Sequence, residues 1–133
     1  MDHQVPGKNT FRMIYMILSI LFFISILVQV FFAGIAIFVH IGDWSYHQSF
    51  VHLFEFIPVI MFIISLFGGI PKLWKWDSAS LFLMIVLQYV TASLIGKVPF
   101  VSALHPIIAL VLFWRALVMS QAAIGLIKNK RSR

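Results

Sequence analysis

The sequence predicts an all-α integral membrane protein, a four-helix antiparallel bundle with both termini in the cytoplasm, and three observations carry that reading. Of 133 residues, 62% are hydrophobic and 11% charged, and the mean hydropathy is +1.02, so the charged side chains are too few to coat a water-facing domain. Four long apolar runs are separated by short segments holding Gly, Pro, Asp and Trp, as expected of turns at an interface. Lys and Arg fall almost entirely on one side of those runs. The chain 1–133 reads as a single four-span domain with helices over about 13–39, 48–70, 78–96 and 105–127.

The first run, Met13 to Val39, contains no Asp, Glu, Lys or Arg and exceeds the about 20 apolar residues that a spanning helix needs. It is too long for a secretory h-region of roughly 7 to 15 residues and reads as a retained anchor. The second, Gln48 to Ile70, carries Glu55 as its only charge, and its interior Pro58 predicts a kink because proline cannot donate to the helix ladder. The third, Ser78 to Gly96, is uncharged, and the fourth, His105 to Ile127, holds Arg115 alone, with Pro106 at a helix start where a missing N–H costs nothing. Connections this short make neighbouring helices antiparallel.

Lys8, Arg12, Lys72, Lys75, Lys128, Lys130, Arg131 and Arg133 share one side and Lys97 stands alone on the other. The positive-inside rule therefore places both termini and the middle loop in the cytoplasm of a multi-pass cell-membrane protein. Trp74, Trp76 and Tyr15 on the inner side and Trp44 with Tyr46 on the outer side fit interfacial aromatic belts. Topology also accounts for the basic C-terminal segment and a pI near 10.1, so the expected partner is the lipid bilayer and not nucleic acid. Without cysteine, disulfides, thiolate metal sites and cysteine nucleophiles are excluded. No GxSxG and no paired carboxylates occur, so no catalytic residue is assigned, hydrolysis lacks support, and only a redox role stays open.

Four histidines, His40, His47, His52 and His105, fall within about two turns of the outer boundary. Ionisable groups inside a bundle usually face its interior or a cavity, so the cluster is a candidate site. On the fourth helix His105, Ala109, Leu112 and Ala116 form one stripe, and on the first Gln29, Ala33, Ala36 and His40 form another. Small residues beneath an imidazole leave room for a macrocycle, making haem b ligation by His105 with His40 or His52 one expectation, with Arg115 as a propionate donor. Small residues equally serve close helix packing. His47 lies too near the loop to sit deep. His52 and Glu55, at i and i+3, are a candidate hydrogen-bonded pair, and a bare metal held by His105, His40, His52, His47 and Glu55 in some combination is a further alternative. Deeper, Arg115 needs a partner, for which Glu55, Gln29 and Gln88 are the candidates within the spans.

The segment Gln29-Val30-Phe31-Phe32-Ala33-Gly34, the histidines from His47 to His52, Gln88 and the pair His105-Pro106 resemble a bacterial family of small four-helix integral membrane proteins catalogued as a domain of unknown function. That resemblance spans nearly the whole chain and implies a four-span fold with no established activity. The outer-end histidines also look like those of four-helix haem proteins of the b561 and haem A synthase kind, although the full set of paired deep histidines is missing. Two functional readings follow. One is a haem b protein for electron transfer or haem handling. The other is a structural, regulatory or partner-binding membrane subunit without a cofactor, with a membrane protein partner or a homo-oligomer as its context and with Gln29, Gln88, Glu55 and Arg115 as a buried polar network.

Overall fold

The computed structural model describes residues 6–131, with side chains from 7 to 128; the expected cytoplasmic placement of Lys130, Arg131 and Arg133 lies outside the described side chains, as does His3. The described residues are helical throughout apart from short turns, in the order α1 (Pro6–Phe38), α2 (Ser45–Phe54), α3 (Ile57–Ser65), α4 (Lys72–Ser93), α5 (Pro99–Ser102) and α6 (Leu104–Arg131). Three stretches are long and apolar enough to cross a membrane: Gly7–Phe38, Ser45–Ser65 and Pro99–Lys128. The predicted third span is present as α4 but does not join them, because Lys72, Lys75 and Asp77 lie within its first turns and Gln88 and Thr91 further along.

Helix boundaries extend past the apolar runs at several ends. α1 begins at Pro6, about two turns before Met13, because Lys8 and Arg12 are good helix formers that continue the ladder beyond the apolar stretch. Its 33 residues span about 50 Å, more than a hydrocarbon core of about 30 Å. α4 begins at Lys72, not Ser78, with Pro71 accepting from Trp74 N–H at 2.9 Å. The second run ends sooner than expected: α3 stops at Ser65, and Gly69, at φ 59°, supplies a left-handed turn that only glycine adopts without strain.

The expected Pro58 kink is a break. Helix α2 ends at Phe54 and α3 starts at Ile57, with Pro58 in its first turn. Proline withholds the N–H that Phe54 C=O would accept. Glu55 and Phe56 stay in the right-handed helical region, so α3 continues roughly onward from α2. In the turn before α2, Asp43 Oδ1 accepts Ser45 N–H at 3.0 Å, and hydrogen bonding from Ser45 holds that exposed carboxyl below the ordinary range.

Packing closes a ring in which α1 touches α2, α3 and α6, and α4 touches α3 and α6. The core follows helical spacing: Tyr15, Ser19, Phe22 and Ile26 on α1 and Leu112, Ala116, Met119 and Ala123 on α6 are all buried and share the i, i+4, i+7, i+11 pattern. Phe54, Ile57, Met61, Leu81 and Ile85 complete it. Leu21, Ile24, Val30, Leu110, Trp114 and Val118 face outward and exposed, the inverse of a soluble bundle and suited to lipid.

One end of the bundle is tied through main-chain carbonyls. Arg12 Nε donates to Gly68 O and Nη2 to Gly69 O, each at 3.1 Å, while Tyr15 Oη lies 2.9 Å from Ser78 Oγ and 3.2 Å from Met119 Sδ. A Cβ at Gly68 would meet Phe11 Cβ at 2.9 Å and Ile70 at 3.2 Å, whereas one at Gly34 meets nothing within 4 Å. Gly68→Ala is expected to destabilise the folded protein by about 1–3 kcal/mol, and Gly34→Ala to leave it unchanged or slightly firmer. Thermal melts in detergent check both, and equal effects would contradict the packing described.

Candidate functional site

The histidines divide into an inward pair and two outward ones. His47, on the first turn of α2, and His105, on the first turn of α6, are half-buried with ring centroids 6.4 Å apart. Each ring is fixed through Nδ1 to a main-chain carbonyl on a different helix. His47 Nδ1 donates to Gln29 O at 3.0 Å, and Gln29 Nε2 returns a bond to His47 O at 2.8 Å. His105 Nδ1 lies 3.1 Å from Gln88 O and 3.0 Å from Thr91 Oγ1. Thr91 directs its own proton at Leu87 O or Gln88 O, at 2.9 and 3.0 Å. A carbonyl only accepts, so Nδ1 carries a proton in both rings, and in the neutral form of each ring the lone pair lies on Nε2.

Two of the expected ligands are elsewhere. His40 lies beyond α1 in the turn that ends at Gly42, exposed, and so leaves the stripe of Gln29, Ala33 and Ala36, of which Ala36 is buried. His52 is paired elsewhere: its side chain is 62% exposed, and Nδ1 lies 3.3 Å from Glu55 Oε1. Tyr89 on α4 joins this pair, donating to Glu55 Oε2 at 2.5 Å with its ring stacked on His52 at 6.1 Å. The expected His52–Glu55 contact is therefore present, with a third member, Tyr89, that sat unremarked beside Gln88 in the sequence. Among the described residues no three His, Cys, Asp or Glu side chains gather as a metal cluster.

Arg115 bonds Asp77, not Glu55. Asp77 lies just before the apolar run that opens at Ser78, but with α4 starting at Lys72 it is on the helix, 12 residues from Tyr89. At 1.5 Å per residue, about 18 Å separates the Arg115–Asp77 level from the Glu55–Tyr89 level, out of reach of one arginine. Gln29 and Gln88 do not meet Arg115 either. The buried side-chain atoms without a hydrogen-bond partner among the described residues are Gln29 Oε1 and Gln88 Oε1. The four-member network expected from the sequence is thus replaced by separate contacts at different depths.

Residues 29–94 match the Family of unknown function DUF6220. The matched segment opens on Gln29 and contains His47, His52, Glu55, Asp77, Gln88, Tyr89 and Thr91, and it stops before His105 and Arg115. No curated protein and no solved structure matches the chain. The likeness to haem proteins has no counterpart in these comparisons.

A double-mutant cycle tests the pairing of Arg115. Arg115→Gln with Asp77→Asn is expected to show a coupling of about 0.5–1 kcal/mol, the usual size for partly exposed or membrane-embedded polar pairs. Arg115→Gln with Glu55→Gln should be additive; coupling in the second cycle and none in the first would contradict the pairing.

Proposed function

We propose that the chain is a four-span cell-membrane protein whose helices alternate in direction, with both termini in the cytoplasm, and that it serves as a partner-binding membrane subunit. What supports alternation is the side-chain pairing at the two ends: Tyr15 near the start of α1 meets Ser78 at the start of α4 and Met119 late in α6. Gln29 late in α1 bonds His47 at the start of α2. A spanning role for α4 follows from its place in the ring, where flanking α3 and α6 cover it on two sides. The single domain 1–133 belongs to the same proposal.

The observation that carries the partner-binding reading is the His52–Glu55–Tyr89 cluster. It lies on the outside of the bundle, about 10–15 Å along the helix from Trp44, next to Leu53, which is 78% exposed. Polar groups open to hydrocarbon are costly, and a polar side chain on a helix of another membrane protein would cover them. With a photoreactive residue at Leu53, crosslinking in intact membranes is expected to give one discrete adduct with a different membrane protein, lost when His52→Ala and Glu55→Gln are combined. A self-adduct would assign the surface to a homo-oligomer, and adducts with lipid alone would overturn the reading.

A haem b protein for electron transfer or haem handling is the second reading. In its favour are two imidazoles on different helices with their rings close together, and Ala109 one turn below His105 on the same face of α6. Its axial pair becomes His105 with His47, because His40 and His52 are exposed. A reduced-minus-oxidised spectrum with a b-type band lost in His105→Ala is the expected sign, and a colourless protein after haem titration would reject it.

Because the chain has no cysteine, topology is readable from single introduced thiols. Ser45→Cys and Lys97→Cys should react with an impermeant maleimide on intact cells, and Lys72→Cys only after permeabilisation. The reverse pattern would invert the proposed orientation.

A further inference from the structure

The end of the bundle that carries Lys8 gathers positive charge around an open backbone position. Gly69 is exposed and left-handed, at φ 59°, and a Cβ placed there would lie 3.5 Å from Arg12 Nη2 and 3.8 Å from Lys8 Cδ. Two cationic side chains one turn apart on α1 thus converge over a residue that fills none of the space between them. The Gly68 and Gly69 carbonyls accept from Arg12 Nε and Nη2, which fixes the guanidinium and occupies two of its five N–H donors. Three residues past Gly69, α4 opens at Lys72 with the positive end of its dipole, and Lys75 follows on the same face. The salt bridges among the described residues are His52–Glu55 and Arg115–Asp77, so no described carboxylate neutralises any of these four cations.

From this we infer that Lys8, Arg12, Lys72 and Lys75 bind the phosphate headgroup of one anionic phospholipid, seated over Gly69. The depth suits a headgroup. Tyr15 and Trp74 stack at 5.7 Å just beyond Arg12 and Lys72 along their helices, and such rings settle at the membrane interface, which sets the cations at the level of the phosphates. The apolar part of the ligand has a place as well. Phe67, just past α3, packs on Phe11 at 5.9 Å and is 60% exposed, and Ile63 and Ile60, on one face of α3, continue an exposed apolar strip away from Gly69. Acyl chains would lie along that strip, from which a free phosphate gains nothing. A zwitterionic headgroup carries its own ammonium, which the four cations repel, whereas a lipid of net negative charge meets them without opposition.

The site lies at the opposite end of the bundle from His52, Glu55 and Tyr89, and neither surface depends on the other. Which leaflet supplies the lipid rests on the orientation proposed above; the binding does not, and a test in detergent has no leaflets. The experiment is a lipid titration of the full chain in neutral detergent, read by native mass spectrometry, with phosphatidylglycerol and phosphatidylcholine of identical acyl chains. The expected result is one phosphatidylglycerol held per chain, about tenfold or more tighter than phosphatidylcholine. Lys8→Gln and Lys72→Gln, both at exposed positions outside the core, should each weaken phosphatidylglycerol by about fivefold and leave phosphatidylcholine unchanged. Lys97→Gln, which removes the same charge at the other end, should leave both lipids unchanged. An excess of glycerol phosphate should not displace the bound lipid. Equal affinity for the two lipids, lysine variants that bind as tightly as the unaltered chain, a loss in Lys97→Gln as large as in Lys8→Gln, or displacement by glycerol phosphate would each overturn the assignment.

Discussion

Within hydrocarbon no water is at hand to satisfy a stray polar group, and the arrangement of this bundle follows from that constraint. The inward polar side chains sit in two layers towards the ends of the helices. In one layer Arg12 bonds the Gly68 and Gly69 carbonyls, Tyr15 meets Ser78 and Met119, and Arg115 bonds Asp77. In the other, His47 is tied to Gln29 and His105 to Gln88 and Thr91. Between the layers Phe22 packs edge-on against Phe54 at 5.9 Å among Ile26, Met61, Ile85 and Leu112. Dispersion and close packing hold this middle zone, since lipid offers apolar groups little reason to leave it. The polar layers add direction to the contacts and so specify which helices pair at which height.

The break between α2 and α3 shapes the outer layer. Proline at 58 removes one rung of the ladder, and Glu55 lies at that discontinuity. Its carboxylate is drawn sideways to Tyr89 and His52 and away from the bundle axis. The two ionisable clusters of this end therefore face different surroundings: His47 and His105 are bonded to neighbouring helices, whereas His52 is exposed and Glu55, mostly covered, is bonded to it and to Tyr89.

Much of the fold was legible because composition and periodicity act over whole helices. Four helical runs, the short connections and the interruption at Pro58 all follow from apolar length and from what proline cannot donate. The stripe below His105 through Leu112 and Ala116 also follows helical spacing and is buried in its deeper part. Partner assignments were harder to read. Asp77 lay just outside the apolar run, and a reading by hydropathy stops where the charge begins, although the hydrogen-bonded helix goes on to Lys72. That six-residue difference concealed the partner of Arg115. His40 was misplaced for the converse reason: periodicity carries no notice of where α1 stops, and the helix ends at Phe38, two residues too soon for the imidazole to join Ala36, in a turn closed by Gly42. His47 looked too shallow because depth was measured along its own helix, whereas its neighbours Gln29 and His105 enclose it from two others.

The imidazoles at 47 and 105 are held by main-chain oxygens, and this bears on how the cluster tolerates mutation. A carbonyl is present whatever side chain its residue carries, so the acceptors for Nδ1 survive most substitutions at 29 and 88 provided the helices keep their course. The orientation of each ring is thus encoded by backbone path, and the Gln29 side chain adds a bond to His47 O while that of Gln88 takes no part in holding its ring. A lineage could change the amide at 88 without disturbing the histidines that organise this end of the bundle.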